Sequence, residues 1–144
     1  MSNKARNDKG SILVDVERLL DIYEPVFMRM PKIRRIHGAA VRMEEAAYDI
    51  IRNFSIAYEM AADEAEEKKR YVSHMIGDFG IMQSCFKRLM KVDLDTMKSS
   101  NPNAKGELGL FSDKVKLAIA MCMESIEKGI IKWRSSIKSS QHHV

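Results

Sequence analysis

The sequence has little proline, glycine or cysteine, the residues on which β-sandwiches and disulfide-rich folds depend. It contains 3 prolines and 7 glycines in 144 residues, too few turn-forming residues for the many short strands of a β-sandwich. Its 2 cysteines make no disulfide framework, and Cys85 and Cys122 both lie in apolar segments where buried thiols are expected. No apolar run approaches the about 18 residues of a membrane span, and residues 1–10 lack the apolar segment of a secretory signal. We therefore expect a cytoplasmic protein with no membrane association.

Apolar residues recur at helical spacing along most of the chain. They make up 45% of the residues, with 31% charged. Steps of three and four residues keep one face of a helix apolar, and they occur in four series, which run from Ile12 to Met30, from Ile33 to Ala61, from Val72 to Met90 and from Phe111 to Ile137. Short connections between the first three predict an all-α fold, an antiparallel up-down-up-down four-helix bundle.

The predicted bundle occupies residues 11–138. Residues 1–10 are expected to form a flexible basic tail, residues 93–108 a long loop, and residues 139–144 a disordered tail. Pro25 lies inside the first series, where it should kink one helix rather than divide it. Gly77 and Gly80 lie inside the third series, where missing side chains would allow a neighbouring helix to approach closely.

The sequence has no recognisable catalytic or metal-binding pattern. A di-metal bundle needs Glu-x-x-His pairs, and no histidine here has a glutamate three residues before it. No phosphate-binding glycine loop or nucleophile–histidine motif is present. His74 is expected to be a partly buried structural residue. We therefore predict a protein that is not an enzyme and that has no catalytic residue, metal ligand or cofactor, and a metal-dependent or nuclease function ranks lowest.

Charge is more informative in its distribution than in its total. The net charge is +4, from 24 basic and 20 acidic residues. In an antiparallel bundle, the end of the first helix, the start of the second and the end of the third meet at one end. Six basic residues would converge there: Arg29, Lys32, Arg34, Arg35, Arg88 and Lys91. With Arg42 and Lys87 they make up eight candidate residues for binding nucleic acid or a partner. Such a cluster suits the anchoring of nucleic-acid phosphates, although basic residues near helix C-termini also complement the helix dipole.

Other charged segments fall elsewhere. A basic cluster near the end of the fourth helix, which includes Lys128 and Arg134, belongs to the opposite end of the bundle. The charged residues 63–70 are interpreted as a solvated helical turn with pairs at i, i+4 spacing.

Three segments resemble a known family. They are IYEPVFMRMPKIRR at 22–35, QSCFKRLM at 83–90 and IEKGIIKWRSS at 126–136. Over about residues 12 to 138 the chain resembles the accessory variability determinant proteins of diversity-generating retroelements. These belong with the small four-helix-bundle proteins encoded in intervening sequences of bacterial large-subunit rRNA genes.

The resemblance implies a non-enzymatic, barrel-shaped homopentamer that binds nucleic acid. It also implies association with the reverse transcriptase and its template RNA or cDNA, in support of mutagenic retrohoming. The basic Pro-Lys-x-x-Arg segment of the family carries over onto Pro31, Lys32 and Arg35. Basic family positions on the third helix correspond to Gln83 and Lys87 here, so Gln83 departs from the pattern.

Two questions stay open from the sequence. Apolar residues outside the main series could line a subunit interface or be scattered on the surface: Val14, Val41, Ile51, Tyr58, Ile81 and Ile131. The alternative function is that of an interaction bundle of the rRNA intervening-sequence type, which has no reverse-transcriptase partner.

Overall fold

Four α-helices make up almost all of the described structure. The computed structural model describes the backbone of residues 2–30, 38–100 and 111–141, and the side chains of residues 11–30, 38–61, 63–91 and 111–137. Helix α1 is Ser2–Arg29, α2 is Ala39–Glu59, α3 is Ala65–Ser100 and α4 is Asp113–Gln141, with a 3-10 turn at Ala62–Glu64 before α3. No strand occurs in these ranges, so the predicted all-α class is confirmed.

Each helix packs against two others, and the four form a closed ring. The most extensive contacts join α2 to α3 and α1 to α4. Further contacts join α3 to α4 and α1 to α2. Buried apolar side chains from all four helices fill the space between them, which is the arrangement of a four-helix bundle.

Contacts near Tyr23 define one end of this bundle. The Tyr23 hydroxyl, late in α1, donates a hydrogen bond to the carbonyl of Ala40 at the start of α2, at 2.6 Å. The Tyr23 ring stacks on Phe111, just before α4, with centroids 6.4 Å apart. Phe86 of α3 meets Phe111 edge-on at 6.2 Å. We call this region the Tyr23 end.

The opposite end is defined by Trp133, late in α4. Its ring packs against Phe54, late in α2, with centroids 5.3 Å apart, and we call this region the Trp133 end. Helices α2 and α4 therefore run from the Tyr23 end to the Trp133 end, while α1 runs towards the Tyr23 end. Phe86 brings the later part of α3 to the Tyr23 end through its contact with Phe111. Neighbours in the ring are therefore antiparallel, as an up-down-up-down bundle requires.

Two side-chain hydrogen bonds tie the most extensive helix pairs together. Ser125 of α4 donates through Oγ to Asp15 Oδ2 of α1 at 2.5 Å, where Asp15 is 7% exposed. Asn53 of α2 donates through Nδ2 to Asp78 Oδ2 of α3 at 2.8 Å. Both bonds satisfy a carboxylate that the packing partly removes from water, so they favour one register of each pair.

The predicted apolar series form the core. Tyr23 and Phe111 are among its largest fully buried side chains, and each helix adds aliphatic residues at the spacing of its series. In α2 the buried members of the series are Ala40, Met43, Ala47, Ile50, Phe54 and Ala57. Ala61, beyond the end of α2, is exposed, and Ile33 and Ile36 of the same series lie outside the described residues.

The helices extend beyond the limits that the sequence predicts. The backbone of residues 2–10 is helical where a flexible tail was predicted, and α1 continues through Pro25 as one helix. Helix α3 continues to Ser100, inside the segment predicted as a loop, and α4 continues to Gln141. An apolar stripe marks only the part of a helix that packs on a core, so the periodicity ends before the helix does.

The predicted close packing at Gly77 and Gly80 is wrong. Both glycines are exposed on α3, and a Cβ atom built on either meets nothing within 4 Å beyond its chain neighbours and the adjacent backbone of its own helix. A glycine inside a helix costs about 0.5–1 kcal/mol relative to alanine. Packing among the described residues gives no reason for that cost.

Replacing Gly80 by alanine is therefore expected to stabilise the protein. The new methyl group enters open space, and the unfolded chain loses conformational freedom, so the free energy of unfolding should rise by about 0.5–1 kcal/mol. Urea denaturation followed by circular dichroism measures the change. Ala57→Gly, at a buried position of α2, is the control and should lower the free energy of unfolding. A loss of stability in Gly80→Ala would contradict the open environment described for this face.

Candidate nucleic-acid interface

Five of the eight predicted basic residues lie on the surface of the described structure. They are all exposed: Arg29 in α1, Arg42 in α2, and Lys87, Arg88 and Lys91 in α3. The other three, Lys32, Arg34 and Arg35, lie outside the described residues.

The helix directions bring these five residues to the Tyr23 end. Arg29 is the last residue of α1, Arg42 lies in the first turn of α2, and Lys87 directly follows the Phe86 that contacts Phe111. Burial raises the pKa of the Cys85 thiol in α3, and the nearby charge of Arg42 lowers it. Arg88 lies one turn beyond Cys85, so α2 and α3 each contribute a cation to this part of the surface.

These cations are not neutralised within the described part of the chain. No described carboxylate forms an ion pair with any of the five, whereas other surface cations are paired, such as Arg70 with Glu67 at 2.9 Å and Lys128 with Glu124 at 2.8 Å. A cation without a carboxylate partner holds only mobile counterions, and a phosphate that binds it releases them. The five residues are therefore suited to an anionic ligand.

An acidic pair that the sequence did not predict borders this surface between α1 and α2. The Tyr48 hydroxyl donates a hydrogen bond to Glu24 Oε2 at 3.1 Å. The carboxyl group of Glu44 lies beside that of Glu24, where the two share a hydrogen bond when one of them is protonated. Partial burial raises the pKa of Glu44, and the hydrogen bond to Glu24 and its charge raise it further. Only the crossing of two helices brings these carboxyls together, so spacing along the sequence gives no signal of them. This acidic pair therefore borders the basic surface where α1 and α2 meet, and the surface extends along α3.

Replacing Glu44 by glutamine should stabilise the protein at neutral pH and have little effect under acid conditions. The folded protein raises the pKa of Glu44, so the stability contributed by its protonated form is present below its unfolded pKa. That contribution is lost as the pH rises through the folded pKa. Glutamine keeps a hydrogen-bond donor for Glu24 without the charge. The temperature of thermal unfolding should rise by roughly 1–3 °C at pH 7 and should not change at about pH 4.

The matched control for this pair is Glu17→Gln, an exposed residue of α1. It should leave the unfolding temperature unchanged at both pH values. An equal rise at both pH values in Glu44→Gln would show that the carboxyl pair does not carry the effect.

The described residues offer little for nucleophilic or metal chemistry. Burial raises the pKa of both cysteine thiols, Cys85 and Cys122, which disfavours the reactive thiolate. No group of three or more histidine, cysteine or acidic side chains within the described ranges could hold a metal ion. His74, expected to be partly buried, is instead exposed, with its ring 6.1 Å from that of Tyr71. The outer face of α3 at this point lies beyond the core, so no packing encloses the imidazole.

Comparison with models of known families, with curated proteins and with solved structures found no match. Among the helices as far as they are described, none is long and apolar enough to cross a membrane.

Proposed function

We propose that this chain is a non-catalytic, oligomeric accessory protein of a diversity-generating retroelement. It binds template RNA or cDNA together with the reverse transcriptase and supports mutagenic retrohoming. The observation that carries the proposal is the set of five exposed cations at the Tyr23 end, none of them paired with a described carboxylate. The three sequence segments that resemble the family point to the same class of protein.

The proposed chemistry is the neutralisation of backbone phosphates. Arginine offers a planar fork of donors that matches two phosphate oxygens, and lysine acts as a mobile point charge. Neither arrangement selects a base, which suits a protein that must hold many different template sequences. Arg42 and Arg88 each supply a guanidinium group, on two adjacent helices. Lys87 and Lys91 extend the positive charge along α3.

Exposed apolar side chains support the oligomeric part of the proposal. Four of the six residues singled out in the sequence are exposed, namely Val14, Tyr58, Ile81 and Ile131, whereas Val41 and Ile51 are half-buried. Leu117 and Met121 add a pair one turn apart on the outer face of α4, exposed at 63% and 62%. Neighbouring exposed apolar residues of this kind favour a protein–protein contact. Light scattering of the purified protein measures the subunit number, for which the resemblance implies five.

A salt titration with RNA tests the nucleic-acid part of the proposal. Binding of a labelled single-stranded RNA, followed by fluorescence anisotropy, should weaken steeply as salt increases. If all five described cations contact phosphate, the slope of log affinity against log salt is about −3.5. Absence of binding even at low salt would overturn the proposal.

Co-purification tests the second partner. A reverse transcriptase encoded beside this gene, expressed with the protein, should be retained by it. Binding to RNA with no retention of the reverse transcriptase would favour the alternative, an interaction bundle of the rRNA intervening-sequence type. The position of the gene, beside a reverse transcriptase and paired template and variable repeats or inside an rRNA gene, provides an independent check.

A further inference from the structure

A second cationic feature lies at the Trp133 end, away from the predicted basic residues. A recess of about 240 Å³ opens between the beginning of α3 and the end of α4, and it is lined by Lys69, Ile131, Arg134 and Ser135. Lys69 is half-buried and Arg134 is exposed. The recess therefore presents one cation from each of two packed helices, with no carboxylate in its lining.

Neither Lys69 nor Arg134 takes part in the ion pairs described at this end of the bundle. Arg70, next to Lys69, pairs with Glu67 at 2.9 Å, and Lys128 pairs with Glu124 at 2.8 Å. Lys69 and Arg134 form no ion pair with any carboxylate in the described ranges. Lys69 thus buries part of its side chain while its ammonium group has no carboxylate partner in these ranges. An external anion in the recess would supply that partner.

The recess has a firm frame. Arg134 follows Trp133, which is 3% exposed, and Lys69 lies one turn before Val72, which is fully buried. Both helices are fixed by these core contacts, so the two cations meet an incoming anion with little rearrangement of the backbone.

The face of α3 that runs from this recess leads to the predicted basic surface. Lys69 and Lys87 are 18 residues apart, which is about five turns, so they lie on one face of α3 about 27 Å apart. The only acidic residue between them is Asp78. Asp78 is turned towards α2, where it accepts the hydrogen bond from Asn53 at 2.8 Å. No carboxylate of α3 therefore interrupts the path between Lys69 and Lys87.

We propose that the Lys69–Arg134 recess binds a backbone phosphate of nucleic acid, as a second anchor remote from the Tyr23 end. The inference rests on the proposed nucleic-acid function and adds to it the path of the ligand along α3. At about 3.4 Å per base pair, a duplex must have about eight base pairs to reach from Lys87 to Lys69. Shorter ligands occupy one anchor at a time.

Two duplexes of different length test this proposal. One is a cross-linked DNA duplex of about six base pairs and the other has about 20, so only the longer one spans the two anchors. Fluorescence anisotropy measures their affinities for the wild-type protein and for Lys69→Gln/Arg134→Gln. The double variant should bind the long duplex about tenfold more weakly, with the salt slope reduced by about 2. Its affinity for the short duplex, which the larger cationic surface at the Tyr23 end still holds, should fall less than about twofold.

The matched control is Arg70→Gln/Lys128→Gln, which removes the same charge from the same end of the bundle. These two cations are already paired with Glu67 and Glu124, so the control should bind the long duplex within about twofold of wild type. Circular dichroism and urea denaturation verify that each variant folds.

Two results would overturn the inference. Unchanged affinity of Lys69→Gln/Arg134→Gln for the long duplex, with the wild type binding both duplexes, would remove the second anchor and leave the proposed function intact. Failure of the wild type to bind the long duplex would also overturn the second anchor, whereas the proposed function is tested separately by the titration with single-stranded RNA.

Discussion

Reversing the charge of Arg42 and Arg88 is expected to lower the affinity for RNA about a hundredfold at moderate salt. Each replacement by glutamate removes one phosphate contact and adds repulsion at the same place. The slope of log affinity against log salt should also become shallower by about 1.4 for a single strand. Both side chains are exposed, so the substitutions should leave the helix content unchanged. Fluorescence anisotropy across a salt series measures the effect.

The control for this variant is Arg52→Glu/Lys128→Glu, which changes the net charge by the same amount. Arg52 and Lys128 are exposed at positions closer to the middle of their helices, so the control should bind RNA within a few-fold of wild type. Equal losses in both variants would show that total charge, rather than the Tyr23 end, governs binding. Arg34→Glu/Arg35→Glu, outside the described residues, should behave like the Arg42 and Arg88 variant if that segment belongs to the same surface.

Truncating Tyr23 to alanine is expected to lower the free energy of unfolding by about 3–5 kcal/mol. The side chain is fully buried, and large-to-small substitutions of aromatic core residues have costs of this size because a cavity remains. The loss includes the 6.4 Å stacking contact with Phe111 and the 2.6 Å hydrogen bond to the Ala40 carbonyl. Such a cost is a large fraction of the usual stability of a domain.

Tyr23→Phe separates the hydrogen bond from the packing. Burial raises the pKa of Tyr23 well above its usual range, with further contributions from Glu44 and Cys85, so the hydroxyl remains a donor throughout the ordinary pH range. Its removal should cost about 0.5–1.5 kcal/mol, measured by urea denaturation. Tyr58→Phe, at a residue 47% exposed, should change stability by less than about 0.5 kcal/mol. An equal effect at both positions would contradict the importance of the buried hydroxyl.

The fold was largely predictable because its helices are amphipathic. The spacing of Ala40, Met43, Ala47 and Ile50 identifies one face of a helix without reference to any neighbour, and those residues are buried as expected. The helix ends were less predictable. Residues 2–10 and residues 93–100 continue their helices without an apolar stripe. Hydrophobic periodicity therefore marks the limit of the core rather than the end of the helix.

Some features of the surface could also be predicted from the sequence, and others could not. Arg29 and Arg88 could be assigned to one end because the directions of adjacent helices alternate. The Glu24–Glu44 pair and the Lys69–Arg134 recess each combine residues that are distant in sequence. Lys69 in particular belongs to a segment that resembles an ordinary solvated turn, and only the position of α4 distinguishes it from Arg70, which is paired with Glu67.

The two most extensive helix–helix contacts join residues at very different separations along the chain, which bears on the order in which they form. Helices α2 and α3 follow each other in the chain, and the Asn53–Asp78 hydrogen bond closes a loop of 25 residues. The seam between α1 and α4 joins the first and last of the four described helices, and its Asp15–Ser125 hydrogen bond spans 110 residues. Closing the longer loop costs more chain entropy, so we expect the α2–α3 hairpin to form early and the α1–α4 seam to close last. The same seam is where two copies of the chain could exchange α1 or α4 with the least loss of local structure.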